Sequence, residues 1–233
     1  MTRRPVLVGV FAALLGCGAI DARAQTRTQN PSQPDRFELA IGGLWTGPTS
    51  YGTRDATLTT SSGGPYRLFT TSTDLAAGGG LEASVGFRVA PRVQVALVGS
   101  YVWTSLRTSI SGDVEGASAV TAVGSVAQVT AGGSVVVDLR KPSRRTAPVP
   151  FFRGAVGYLW QIHEDRALVE TGLSYDVGGG VRFHLGSTRT SRGRLREFGI
   201  RAEGRAAIRS SGLAIDGKTH VSPVAAGLFF VRL

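Results

Sequence analysis

Apolar and polar residues alternate with a period of two along most of the chain beyond residue 35, which is typical of β-strands whose two faces meet different surroundings. The clearest run covers residues 173–185, where one face holds only apolar residues and glycine and the other carries Asp176 and Arg182. The sequence therefore predicts an all-β fold, an eight-stranded antiparallel up-and-down barrel. Its strands are expected over residues 36–47, 75–90, 92–104, 122–138, 150–162, 171–185, 196–209 and 221–233.

Charged residues are confined to one face of these predicted strands. The apolar phase, which in the second strand runs through the odd positions from Leu75 to Val89, carries no charge in any strand. Charges on the inner side of a closed barrel are expected to form ion pairs, because isolated buried charges are costly. The predicted charge network of the interior comprises thirteen residues: Glu38, Glu82, Arg88, Asp138, Arg153, Asp176, Arg182, Glu197, Arg201, Glu203, Arg205, Arg209 and Arg232.

Alternation alone fits a soluble lipocalin-like barrel with its apolar face inward and a transmembrane barrel with its apolar face outward. Two features favour the transmembrane barrel: the 48–74 connection is long whereas the 90–92 turn is short, and the charged face is rich in small residues, as a narrow eight-stranded interior requires. A third is the position of the aromatic residues at strand ends, where transmembrane barrels have interfacial belts. The predicted belt residues are Trp45, Tyr101, Trp103, Tyr158, Trp160, Phe87, Phe183, Phe198 and Phe229.

The N-terminus has the features of a cleaved export signal. Arg3 and Arg4 form a basic region, residues 6–15 form an apolar region, and a small-residue site ends at Ala24. An alternative interpretation is a lipoprotein signal that modifies Cys17. We expect cleavage near Ala24 and a final location in the outer membrane of a Gram-negative bacterium. The expected parts are a signal peptide (1–24), a flexible periplasmic leader (25–35) and the barrel (36–233).

The formal net charge of the chain is +10, a balance that can indicate nucleic-acid binding. The export signal argues against a nucleic-acid partner, and many of the arginines belong to the predicted interior. Two further basic groups lie in connections between strands, where they are expected to meet anionic headgroups or simply water. They are Arg140, Lys141, Arg144 and Arg145 in one connection and Arg189, Arg192, Arg194 and Arg196 in the other.

Three segments resemble a known family: residues 152–159, 177–183 and 225–233, which alternate apolar residues with glycine, arginine or small residues. On these segments the chain resembles the small outer-membrane β-barrel proteins, the porin-family class that includes the OmpA-like transmembrane domain. The resemblance implies a barrel without the periplasmic domain, surrounded by outer-membrane lipids and lipopolysaccharide. It also implies that the outer-membrane insertion machinery recognises the C-terminal strand, although Leu233 stands where an aromatic residue is usual.

Few residues are candidates for chemistry. His220 and Ser222 resemble the histidine–serine pair of outer-membrane lipid A deacylases, but no acidic residue follows Asp216, so two polar residues at a strand end are the simpler interpretation. Residues 163–165 (His-Glu-Asp) fit no metal or protease motif. We therefore predict no catalytic residue, no metal site and no cofactor, and the chain is not expected to be an enzyme.

Two classes of function remain. The first is a structural or surface-interaction barrel with a closed interior, which presents the 48–74 and 105–118 connections to a partner that the sequence does not identify. The second is a porin-like channel for small solutes. More distant alternatives are a lipid-modifying enzyme of the outer membrane and a soluble lipocalin-like binder. Thirteen charged side chains in so narrow a lumen favour the closed barrel.

Overall fold

The computed structural model describes residues 36–59, 63–112, 118–140, 147–163, 169–189, 195–209 and 219–233. The signal peptide and leader that the sequence predicts lie outside the described residues. Within the described ranges, no helix is long and apolar enough to cross a membrane. Those ranges contain the strands β1 (Phe37–Thr46), β2 (Thr49–Thr59), β3 (Pro65–Leu75), β4 (Gly78–Ala90), β5 (Val93–Ser111), β6 (Val120–Asp138), β7 (Val149–His163), β8 (Val169–Arg189), β9 (Leu195–Arg209) and β10 (His220–Arg232).

Eight of these strands close into a barrel. β1 pairs with β4 on one side and with β10 on the other, so that Ile41 lies opposite both Ala83 and Phe229. From β4 to β10 each strand pairs antiparallel with the next. The predicted fold class, an eight-stranded antiparallel up-and-down barrel, is confirmed.

β2 and β3 continue β1 and β4 beyond the rim of this barrel. β2 pairs with β3, β3 pairs with the end of β5, and there β5 still pairs with β6. We call the resulting four-stranded sheet the upper sheet; it consists of β2, β3, Leu106–Ser111 of β5 and Val120–Ser125 of β6. The barrel end that carries it is the upper end, and the end where β1 begins and β10 finishes is the lower end.

The upper sheet corrects two predictions. Residues 48–74 and 105–118 were expected as loops, whereas most of them form β2, β3 and the end of β5. The first segment is rich in serine, threonine and glycine, which suggests a loop, yet threonine also suits the pleated surface of a strand. Pairing with β5 gives this hairpin the neighbour that an isolated two-stranded hairpin needs for stability.

The apolar phase predicted for the second strand is wrong at Leu75. The chain leaves strand conformation at Ala76 and Ala77, between β3 and β4, and this break reverses which side chains face outward. Leu75 is consequently buried, with 2% of its surface exposed. From Gly79 onward the odd positions of β4 face outward, as predicted.

The barrel wall separates an apolar outer surface from an interior that contains the charged side chains and a cluster of buried apolar ones. On β1, the apolar Phe37, Leu39 and Ile41 are exposed, whereas Glu38 and Ala40 between them are buried. The same alternation recurs around the barrel, and the exposed fraction reaches 73% for Leu97 on β5. This arrangement is the reverse of a soluble barrel, whose apolar side chains fill the interior.

Candidate functional site: the charged interior of the barrel

The lower half of the interior is organised around one carboxylate. Glu38, on β1, lies 3.3 Å from Nη2 of Arg182, 3.4 Å from Nη1 of Arg201 and 2.9 Å from Nε of Arg232. The three arginines come from β8, β9 and β10. A buried carboxylate is stable when it is matched in this way by opposite charges and hydrogen-bond donors.

Arg182 connects β8 to the far side of the lumen. Its guanidinium donates to Oδ1 of Asp138 on β6 at 2.8 Å and to Oε1 of Gln94 on β5 at 2.9 Å. Its Cζ atom also lies 5.1 Å from the ring centroid of Phe151, within range of a cation–π interaction. The side chain is fully buried, and its contacts span the interior from wall to wall.

The upper half of the network is built around Arg153 and Glu82. Nη1 of Arg153 lies 2.8 Å from Oε1 of Glu82 and 2.8 Å from Oε2 of Glu203, and Nη2 of Arg205 lies 2.6 Å from Oε2 of Glu82. Arg201 forms an ion pair with Glu203 through its Nε atom and also contacts Glu38 in the lower half. The two halves therefore form one continuous network.

The remaining predicted charges lie at the margins. Arg88 is 3.9 Å from Asp138, Asp176 is 3.9 Å from Arg205, and Glu197 is 3.5 Å from Arg232. Twelve of the thirteen predicted residues are thus linked by ion pairs between described residues. The thirteenth, Arg209, donates to the Tyr51 hydroxyl at 3.1 Å and to Oε1 of Gln128 at 3.0 Å.

Several uncharged interior residues were missed by the sequence analysis. Gln94, Gln128 and Phe151 share the inward phase of their strands, so alternation is the signal that identifies them. Tyr51 had no such signal, because its segment was expected to be a loop. Its hydroxyl also accepts a hydrogen bond from Nε2 of Gln161 at 3.5 Å, and its side chain is buried at the upper end of the lumen.

A small polar chamber lies in the upper lumen, with a volume of about 40 Å³. Asp176, Arg205 and Arg209 line it together with Gln128 and Thr46. Nε2 of Gln128 and Oγ1 of Thr46 are buried and have no hydrogen-bond partner among the described protein atoms. A polar space of this size suits a few ordered water molecules, each of which needs about 10–15 Å³.

The predicted aromatic belt residues lie on the outer surface in two groups. Trp45, Tyr101, Trp103, Tyr158 and Trp160 belong to the upper half, and the rings of two neighbouring pairs meet edge to face at 4.7 and 4.9 Å. Phe198 and Phe229 contact each other at 6.4 Å in the lower half, Phe87 contacts Phe37 at 5.2 Å, and Phe183 is also exposed. Phe37 and Phe152 are exposed outer residues that the predicted belt omitted.

The described candidates for chemistry, His163, His220 and Ser222, lie at or near strand ends. The Ser222 hydroxyl is buried against the Thr49 hydroxyl, and the His220 ring stacks edge to face on Tyr51 with centroids 5.4 Å apart. His163 ends β7, and the two acidic residues after it lie outside the described residues. Within the described ranges, no group of three or more His, Cys, Asp or Glu could hold a metal ion.

The two basic connections are only partly described. Arg140 and Arg196 are exposed. Arg189, which was predicted to lie in a connection, is the last residue of β8. The other members, Lys141, Arg144, Arg145, Arg192 and Arg194, lie outside the described residues.

No protein-family model and no curated protein matches the chain. Among solved structures, it is similar to the outer membrane protein OprG from Pseudomonas aeruginosa, with 11% identity, a TM-score of 0.44, and coverage of 85% of this chain and 95% of OprG. It is similar to Neisserial surface protein A, with 14% identity, a TM-score of 0.46, and coverage of 84% and 97%. It is also similar to the N-terminal β-barrel domain of Pseudomonas aeruginosa OprF, with 13% identity, a TM-score of 0.34, and coverage of 83% and 96%.

Proposed function

We propose that this chain spans the bacterial outer membrane as a closed barrel and presents its upper sheet at the cell surface. The observation that carries the proposal is the contrast between the two sides of the wall, apolar outside and ion-paired inside. Closure of the barrel satisfies the backbone hydrogen bonds of its wall, which a membrane-spanning sheet requires. The soluble lipocalin-like alternative would need the opposite facing.

The order of residue types along the outer surface supports a membrane setting. Exposed aliphatic residues such as Leu97 and Val177 lie between the upper and lower aromatic groups, in the order expected for hydrocarbon between two headgroup layers. The short turn at Pro91 and Arg92 belongs to the lower end, and short turns characterise the periplasmic side of such barrels. The upper sheet would then face the medium.

The interior supports a structural or surface-interaction role over transport. An eight-stranded barrel is just wide enough for its own side chains, and here ion pairs cross it from wall to wall. The second candidate, a channel for small solutes, is favoured only by the polar chamber of about 40 Å³. Glu82 and Arg205, which form an ion pair at 2.6 Å, both line that chamber.

The proposed surroundings follow from the same topology. Outer-membrane lipids and lipopolysaccharide would cover the apolar outer surface, and the insertion machinery would engage β10, whose outward positions from Ala225 to Phe229 are exposed. Arg140 and Arg196 at the lower end would lie near anionic headgroups of the inner leaflet, where each basic residue contributes on the order of 1 kcal/mol of attraction.

Tryptophan fluorescence provides the test of this location. The three tryptophans, Trp45, Trp103 and Trp160, all occupy outward positions of the wall. In vesicles of brominated lipid the refolded protein should show strongly quenched fluorescence, and cells that express the full chain should contain it in the outer-membrane fraction. Unquenched fluorescence together with recovery as a soluble periplasmic monomer would contradict the proposal.

A further inference from the structure

The upper sheet has an edge strand that is paired on one side only. Pairing of β6 with β5 extends up to Val120, whereas pairing of β6 with β7 stops at Val126. Val120–Ser125 therefore has no second neighbour among the described strands. One row of its backbone N–H and C=O groups has no strand partner within the described ranges, and such a row can pair with another extended chain.

This edge is open to solvent. All six residues of Val120–Ser125 are exposed, and Val120 and Val123 reach 63% and 64% exposure. The two valines lie on opposite faces of β6, because side chains alternate along a strand. A segment that paired here would consequently meet an apolar, β-branched neighbour on each of its faces.

The opposite edge of the upper sheet is protected in the ways that native proteins use. β2 carries Arg54 and Asp55, and its register with β3 shifts twice, after Ser50 and after Ala56. Charged residues and bulges of this kind prevent pairing with a foreign strand. The β6 edge has none of these protections: Val120–Ser125 contains no charge and no proline, and its register with β5 is continuous.

We propose that Val120–Ser125 binds an extended polypeptide segment of a surface partner as an added fifth strand of the upper sheet. The ligand class follows from the backbone: only another polypeptide offers N–H and C=O groups at the spacing of a β-strand, whereas a lipid or a sugar does not. The segment should be uncharged and rich in threonine and valine, since such residues form favourable cross-strand pairs with exposed valine. This inference rests on the proposed function, which places the upper sheet outside the membrane.

The binding test uses the refolded protein in detergent micelles and a fluorescent peptide of alternating threonine and valine. We expect saturable binding to the wild type and roughly tenfold weaker binding to Val123→Lys, because a lysine blocks edge pairing. Thr57→Lys, at the protected edge on β2, is the matched control and should bind as the wild type does. Micelles make the outcome independent of location, so failure here leaves the quenching and fractionation results standing.

Amide hydrogen exchange localises the binding. Adding the peptide should protect Val120–Ser125 and leave exchange in Thr53–Thr59 unchanged. The proposal is overturned if the peptide does not bind, or if protection appears elsewhere and not on β6. It is also overturned if Val120–Ser125 becomes protected without peptide as protein concentration rises, with a dimer in sedimentation, because the occupant is then a second copy of this chain.

Discussion

Arg182 illustrates how the neighbours of a buried charge in the interior compensate for its removal from water. Burying a guanidinium removes it from water at a cost of several kcal/mol, which only good geometry and full hydrogen bonding can offset. Here two carboxylates, the Gln94 amide oxygen and the Phe151 ring surround it. Because its partners sit on four other strands (β1, β5, β6 and β7), the side chain also joins distant parts of the wall.

The network makes a specific prediction for Glu203. Glu203→Ala removes a carboxylate from Arg153 and Arg201 at once, leaving both buried cations underpaired. Breaking one side of a buried pair costs about 3–5 kcal/mol, so the free energy of unfolding should fall by that order, measured by urea unfolding in lipid vesicles. The control is Asp74→Ala, which removes an exposed carboxylate and should change stability by less than about 0.5 kcal/mol. Equal stability of the two variants would show that Glu203 is not part of a buried network.

A second prediction concerns Gly199, where neighbouring residues leave no space for a side chain. A Cβ atom there would collide with the Phe183 carbonyl oxygen and come within 2.7 Å of the inward-facing Phe230 ring. Gly199→Ala should therefore destabilise the protein by about 1–3 kcal/mol, as overpacking does. Gly204→Ala on the same strand is the control, because its Cβ meets nothing within 4 Å. If both variants unfold at the same urea concentration, the inward packing of Phe230 against β9 is wrong.

At the scale of residues, the sequence predicts which side chains face inward but not how they pair. Alternation places Glu38 and Arg182 on one face of their strands, and both are buried in the structure. Their contact depends on the stagger between β1 and β8, which lie three strands apart around the barrel. Stagger follows from tilt and closure of the whole wall, so no local sequence pattern encodes it.

At the scale of elements, β8 has an apolar face that points outward and a face with charged residues that points into the lumen. Its outward positions, such as Val177 and Leu185, are exposed and apolar, and its inward positions hold Asp176 and Arg182. A one-residue slip of the strand would expose the arginine outside and bury valine among charges. The alternation therefore specifies the register as well as the facing.

Facing of β8 is tested by placing a charge on its outer side. Val177→Arg puts a guanidinium into hydrocarbon, which costs about 2–4 kcal/mol at the bilayer midplane. Folding into phosphocholine vesicles should be weakened by that order, whereas Val177→Leu should fold as the wild type does. Arg182→Gln should carry no lipid penalty, although it removes one charged partner from each of two carboxylates, Glu38 and Asp138. Undiminished folding of Val177→Arg would mean that Val177 does not face lipid.

Strand prediction succeeds where alternation is strict and fails where it is interrupted. β1 lies close to its predicted position, and along its first half exposed Phe37, Leu39 and Ile41 alternate with buried Glu38 and Ala40. The hairpin of β2 and β3 was missed since its segment is polar on both faces, being exposed on both for much of its length. Its stability derives from pairing with β5, a long-range contact that local composition does not reveal.

At the scale of the molecule, the interior of the barrel is nearly neutral although the chain as a whole is strongly basic. The chain has a formal net charge of +10, yet the interior set holds seven arginines against six carboxylates, a net charge of +1. Near balance is what a narrow, buried polar core requires. Two features characterise the barrel as a whole: an apolar outer band, and a lumen obstructed by its own side chains.

Single-channel conductance of the refolded wild-type protein in planar lipid bilayers tests the closed membrane barrel most directly. Insertion is verified first in the same preparation, by quenching of Trp45, Trp103 and Trp160 with brominated lipid. For a closed barrel we predict that the inserted protein adds no stepwise conductance above the baseline of the bare bilayer, because the ion pairs that Glu38 and Glu82 form with arginines cross the lumen. Reproducible unitary current steps from the inserted wild type would contradict it.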